Sequence, residues 1–211
     1  MERHYHAPGR QLAAAQTRAR IVSVARDLLL EGGPGAMTIA GLARAAGVSP
    51  QTVYNSVGGK AELIKAVYDV LLAGDEDPTP MSDRPSFDAV VQAPDVSAYA
   101  HAYARWTRDI YLRVGRLLGA LLAEGTGKDP VLVDFLAQIN HERRVGNRNG
   151  LRGLTQRGLV PAGERLEHIV DGVWVLTAPD VFDRLVHQCG WSDLDYATWL
   201  ATQLHALVAT T

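Results

Sequence analysis

Apolar residues recur at helical spacing along nearly the whole chain, and the breaks between the runs carry turn chemistry. From about Thr17 to Glu31, Ile21, Val24, Ala25, Leu28 and Leu29 fall on one face, and Gly32-Gly33-Pro34-Gly35 ends the run. Ile39, Leu42, Ala43 and Ala46 make a second, shorter stripe, opened by the N-cap residue Thr38 and closed by Gly47, which tolerates positive φ. A third helix starts at once: Ser49 is a good N-cap, and Pro50 suits the first helical position, where its missing N–H costs nothing. After Gly58-Gly59, Leu63, Ile64, Val67, Val70 and Leu71 form the face of a fourth helix reaching about Ala73. Two short capped helices joined by a glycine turn are the sequence form of a helix-turn-helix. Any small helical protein can hold such a pair, and here the flanking first and fourth helices favour the motif.

Beyond Gly74 the periodicity stops, with Pro78, Pro80, Pro85 and Pro94 interrupting it. From Val96, Tyr99, Ala100, Tyr103, Trp106, Ile110, Val114, Leu117 and Leu121 form a long stripe that Gly125-Thr126-Gly127 ends. A further helix from about Asp129 carries Leu132, Phe135, Leu136 and Ile139 and runs to Gly158 and Pro161. Two last helices hold Ile169, Val170, Val173 and Trp174, then Leu194, Ala197, Leu200, Ala201, Leu204 and Leu207. No credible strand set is present. The pattern predicts an all-α protein: an N-terminal helix-turn-helix domain of three helices, then a C-terminal helical bundle. The expected division is a flexible arm over 1–16, a DNA-binding domain with its connecting helix over 17–74, a linker over 75–95 and the bundle over 96–211.

The stretch from Thr38 to Lys60 resembles the TetR family of transcriptional regulators. The resemblance rests on Thr38-Ile39-Ala40, the Ala46-Gly47-Val48-Ser49 turn, Thr52 and Tyr54 in the third helix, and Lys60-Ala61-Glu62-Leu63 opening the fourth. The segment from Gly158 through Val186, with Val173-Trp174, Thr177-Ala178-Pro179-Asp180-Val181 and then Gly190-Trp191, is similar to the regulatory domain of an actinobacterial-type subgroup. It implies a homodimeric repressor that binds double-stranded DNA at a palindromic operator and is released by a small organic effector. Thr38, Ser49, Pro50, Gln51, Thr52, Tyr54, Asn55 and Lys60 are then the DNA-binding residues. Gln51 is the candidate base reader, since its amide can donate and accept toward adenine, a pairing worth roughly 1–3 kcal/mol of discrimination. Thr52, Tyr54 and Lys60 offer hydroxyl and ammonium groups to phosphates, although Thr52 and Tyr54 also suit helix capping and packing. One departure stands out: many family members carry His-Phe after the tyrosine, where this chain has Asn55-Ser56-Val57. It removes a phosphate contact and leaves a smaller plug beneath the helix. That departure keeps a second reading open, a helical small-molecule-binding protein or enzyme with a vestigial helix-turn-helix.

An effector cavity inside the bundle should be apolar with a few orienting polar groups. Its candidate lining is Tyr103, Trp106, Tyr111, Phe135, His141, Arg144 and Trp174, each of which is equally at home in a plain core. Tyrosine, tryptophan and histidine together suggest an uncharged or weakly polar effector, with Arg144 able to pair with an acid. For dimerisation the candidates are Ile169, Val173, Leu200, Leu204 and Leu207, on faces that an intramolecular core would also use.

Composition changes this picture little. The 211 residues are 47% hydrophobic and 21% charged with a net charge of −2, ordinary for a globular protein. Distribution says more: residues 1–74 carry eight Lys/Arg against five Asp/Glu, so positive charge gathers in the candidate reading domain. The excess of three implies a few placed phosphate contacts, not a broad basic field. Arg3, His4, His6 and Arg10 belong to the expected arm, either a minor-groove contact or a plain disordered end. No signal peptide or membrane span is expected, which places the protein in the cytoplasm. Cys189 stands alone, so an intramolecular disulfide is excluded, and it reads as a buried or half-buried thiol. No metal site, cofactor or catalytic pair can be assembled, which argues against an enzyme.

Overall fold

The computed structural model describes residues 7–75, 77, 79–124 and 129–209, and among these it is helical with no strand. Arg3, His4 and His6 of the expected arm, and the Gly125-Thr126-Gly127 stop, lie outside the described residues.

Helix α1 spans Ala7–Ala36 and breaks at Gly33, whose φ of 73° departs from the helix. It therefore begins ten residues before the expected Thr17, and 9–16 form an exposed helical extension where an arm is expected. The Ala13-Ala14-Ala15 run explains this, since alanine favours helix without needing a buried face. Ile21, Ala25 and Leu29 are buried beneath α2 (Ile39–Ala45), α3 (Pro50–Ser56) and α4 (Lys60–Ala73), with Leu42, Val53, Leu63 and Val67 facing them.

Residues 75–95 hold more structure than a linker: a single helical turn at Met81–Asp83 and α5 (Pro85–Val91), which buries Phe87 and Val90. Helix α6 (Val96–Glu124) is the axis of the C-terminal half, with α7 (Pro130–Gln156) and α10 (Asp193–Ala209) packed on it and α8 (Glu164–Leu176) packed on α7 and α10. Between α8 and α10, the short α9 (Pro179–Phe182) continues into a wider helical turn over 183–188. Phe182 lies edge-on to Tyr196 of α10, with ring centroids 4.9 Å apart. Two close approaches set the packing: a Cβ on Gly153 of α7 would lie 2.0 Å from the Val91 carbonyl oxygen, and one on Gly172 of α8 would meet Leu207 of α10 at 2.7 Å.

Four of the residues expected to pair two copies are core instead. Ile169, Val173, Leu200 and Leu204 are at most 2% exposed within the single chain, and Leu207 is half-buried against Gly172. Helix α10 packs its stripe on α6, and α8 packs its own between α7 and α10, so one chain covers both. Cys189 is exposed, contrary to the buried thiol expected, because it ends the wide turn just before the Gly190 reversal.

Candidate DNA-reading face and ligand cavity

Helix α3 is fixed at both ends. At its start the Ser49 side chain accepts from the Thr52 N–H at 3.0 Å and meets the Thr52 hydroxyl at 2.8 Å, with Pro50 in the first turn. Gly47 makes the preceding turn with a φ of 64°, which a side chain would strain. At its end the Arg18 guanidinium of α1 donates to the Ser56 carbonyl at 2.8 Å, a contact that sequence spacing does not reveal. Val53 is the buried anchor, and Val57 packs against the core.

This arrangement turns Gln51, Tyr54 and Asn55 outward, with Tyr54 53% exposed. Gln51 Nε2 donates to Asn55 Oδ1 at 2.9 Å, one turn on, so the two amides form a single polar patch. Thr38 caps α2, its hydroxyl oxygen accepting from the Gly41 N–H at 3.1 Å. Lys60 lies elsewhere: it is half-buried at the start of α4, with Nζ 3.5 Å from Asp129, the N-cap of α7. A second link joins the two halves, since Gly35 N–H donates to the Glu124 carboxylate at 2.6 Å.

Under the C-terminal end of α4 lies a cavity of about 720 Å³. Tyr68 and Leu72 of α4, Met81 and Ser82 of the single turn, and Trp106, Ile110 and Val114 of α6 form much of its wall. Of the candidate lining residues, Tyr103, Trp106, Tyr111 and His141 are in its wall. Phe135, Arg144 and Trp174 are not in that wall. Phe135 is buried behind Tyr68, edge-on at 5.7 Å between centroids. Arg144 points to the surface and pairs with Asp171 at 2.6 Å. Trp174 packs beside Arg143, whose guanidinium carbon lies 6.0 Å from its ring centre.

Arg143 is what the sequence reading missed, one position from Arg144. It lines the cavity and donates to the carbonyls of Trp174 at 3.0 Å and Thr177 at 2.6 Å, closing the C-terminus of α8. The Tyr111 hydroxyl also donates to the Thr177 carbonyl. Burial pushes the Tyr68, Tyr103 and Tyr111 phenols well above their ordinary value, so all three are neutral hydrogen-bonding groups. At the mouth Arg84, itself buried, grips Asp75 with two N–H groups at 2.8 and 3.0 Å and donates to the Thr79 carbonyl. That contact holds the Asp75 carboxyl below its usual range. Among the described residues no cluster of His, Cys, Asp and Glu could hold a metal, and no helix is long and apolar enough to cross a membrane.

Residues 21–67 match the family described as bacterial regulatory proteins, tetR family. No curated protein matches the chain. Among solved structures, a protein from Syntrophomonas wolfei assigned to the TetR family of transcriptional regulators superposes with a TM-score of 0.73 at 13% identity, over 93% of this chain and 96% of that one. SmeT, in complex with triclosan, gives 0.65 at 12% identity over 90% of each chain. A TetR transcriptional regulator from Agrobacterium tumefaciens gives 0.58 at 20% identity over 92% of this chain and 94% of that one. The family match covers α2, α3 and the first half of α4, and the cavity lies mostly outside it. Residues 21–67 thus match the DNA-binding domain of the tetR family of bacterial regulatory proteins, and the chain as a whole shares its fold with structures assigned to such regulators.

Proposed function

We propose that this regulator is a homodimeric repressor that holds a palindromic operator and lets it go when a small organic molecule fills the cavity. Residues 17–74 would serve as the reading domain and 96–211 as the effector and dimerisation domain. The observation that carries the reading is that α4 belongs to both regions. It follows the reading helix directly, and its Tyr68, Asp69 and Leu72 line the cavity. Arg113 of α6 also holds the end of α4, donating to the carbonyls of Leu71 at 3.2 Å and Leu72 at 2.9 Å. A molecule that binds one tilt of α4 better than another shifts the separation of two reading helices by its differential affinity alone. SmeT, of the same fold, was solved with triclosan, which supports a small-molecule role for such a cavity.

Gln51 and Asn55 read base edges in the major groove, while Thr52 and Tyr54 and the helix start at Ser49 and Pro50 meet phosphates. Thr38 adds a phosphate contact at the start of α2, and Lys60 adds one if it leaves Asp129. The pairing surface is the outer side of α8 and α10, not the stripe named from sequence. There Val175 is 55% and Leu194 61% exposed. Thr198 and Thr202 continue the line from Leu194, and their hydroxyls bond back to the helix carbonyls at 2.9 and 3.0 Å, leaving methyl groups outward. An isologous contact of this face would place two copies of α3 roughly 34–36 Å apart, one DNA turn.

Sedimentation across a concentration series tests the pairing. A dimer that Leu194→Arg converts to monomer is the expected result, and a wild-type monomer throughout contradicts it. A gel shift with the DNA upstream of its own gene, against excess random DNA, tests the reading. A discrete complex is expected, and its absence there and across neighbouring promoters contradicts sequence-specific control.

A further inference from the structure

The polar groups around the cavity are unequal. Of its cationic side chains, Lys65 is paired with Asp69 at 2.5 Å and approaches Glu142 at 3.9 Å, and Arg84 is paired with Asp75. Asp77 is occupied by the Thr79 N–H and hydroxyl at 2.8 and 2.6 Å. Arg143 has no carboxylate partner among the described residues. Its hydrogen bonds go to neutral oxygens: Nη1 to Asn140 Oδ1 at 3.0 Å, and Nη2 to the Trp174 and Thr177 carbonyls. Helix-end carbonyl dipoles offset part of a positive charge, and a guanidinium carries five N–H groups, so both charge and donors remain.

The buried neighbours of Arg143 add donors. The Asn147 amide pairs every donor with an acceptor in one orientation: Nδ2 toward the Tyr103 hydroxyl oxygen and the Arg143 carbonyl at 3.2 Å, Oδ1 toward the Trp174 N–H at 3.1 Å. The Tyr103 oxygen then accepts, and its own hydrogen is left to donate. In the same wall Thr107 is 96% buried, because only 4% of it is exposed, and its hydroxyl has no partner; the Trp106 indole N–H has none either. A buried polar group left unmatched costs about 1–3 kcal/mol, which a ligand acceptor would recover.

We infer that the cavity takes an organic anion: a molecule with a single carboxylate or comparable anionic head set against Arg143 and Tyr103, and an apolar or aromatic body along Trp106, Ile110 and Val114. This rests on the cavity being the effector site and sharpens the weakly polar ligand that the sequence suggested. An inorganic anion does not suit the space, because about 720 Å³ of largely aromatic and aliphatic wall is the scale of a drug-sized ligand.

Calorimetric titration of the full chain with matched pairs tests it: 1-naphthaleneacetate against 1-naphthaleneacetamide, and decanoate against decanamide. For at least one pair the acid should bind about tenfold tighter than its amide, the scale of a hydrogen bond to a charged group. Arg143→Gln should lower acid binding about tenfold and amide binding far less, with Arg143→Lys retaining most of the preference. Because Arg143 also caps α8, helicity and melting are measured on each variant, and the comparison in the unaltered protein needs no variant. Equal binding of acid and amide, both abolished by the cavity-filling Ile110→Trp, would keep the cavity and overturn the anion. Binding that survives Ile110→Trp would overturn the cavity as effector site and the inference with it. No binding by either pair at millimolar concentration would overturn the inference as well.

Discussion

The helix-turn-helix and the cavity are built by opposite means. In the first, each structural decision is local: Ser49 caps the helix it precedes, Gly47 makes the turn beside it, and Gln51 and Asn55 meet one turn apart. In the second, Tyr68, Tyr103, Arg143 and Thr177 come together from four separate elements, and close approaches such as Gly153 against Val91 hold those elements in place. A site made of neighbours in sequence tolerates change elsewhere in the chain. A site made of distant segments depends on every interface between them.

That contrast breaks most visibly at Gly153. An alanine there would collide with the Val91 carbonyl, and Gly153→Ala should destabilise the fold by about 1–3 kcal/mol or more, read as a lowered melting temperature. Ligand binding should weaken in the same variant because the wall shifts. An unchanged melting point would contradict the packing account.

Next in size is Gln51→Ala. It should remove roughly 1–3 kcal/mol of preference at one position of each half-site while leaving affinity for random DNA nearly intact. Equal loss on specific and random DNA, measured by fluorescence anisotropy, would remove Gln51 as base reader. Ser49→Ala should cost about 1 kcal/mol, since it deletes the cap of α3, and the loss should appear in DNA binding with little effect on the cavity.

Alkaline titration separates the halves in another way. Tyr68, Tyr99, Tyr103, Tyr111 and Tyr196 are all held above the ordinary 10.0 by burial, chiefly around α6. A phenol whose folded value is raised contributes stability that is fully present below pH 10.0 and is lost as pH rises through the folded value. Tyrosinate absorbance for these five of the seven tyrosines should therefore rise together with loss of helicity, and a rise that precedes unfolding would contradict their burial. The smallest effect is expected at the junction. Asp129→Asn keeps the α7 cap but removes the charge facing Lys60, so DNA affinity should rise a few-fold at low salt, on the order of 0.2–1 kcal/mol. No change would mean that Lys60 does not act on DNA.

The same contrast explains what the sequence made legible. The helix-turn-helix and its outward residues could be read because caps, glycine turns and apolar spacing are local signals. The extension of α1 to Ala7 was not, because its exposed face carries no apolar period and only alanine propensity supports it. Helical spacing picks out the aromatics of α6 and α7 but does not tell lining from core, so Phe135 and Tyr103 look alike in sequence although only Tyr103 is in the wall. Arg143 and Arg144 differ by a single position, about 100° around a helix, and which of them faces inward depends on where α8 packs. The pairing stripe is hidden for the same reason: periodicity finds a buried face, and here neighbouring helices of the same chain cover it.

Footprinting of the DNA upstream of the gene tests the central account most directly, because it reads recognition, pairing and geometry at once. The account predicts two protected half-sites of inverted sequence, centred roughly 34–36 Å apart along the duplex, that disappear together when a cavity ligand is added. Protection of a single half-site, or protection that a ligand bound in the cavity leaves unchanged, would contradict it.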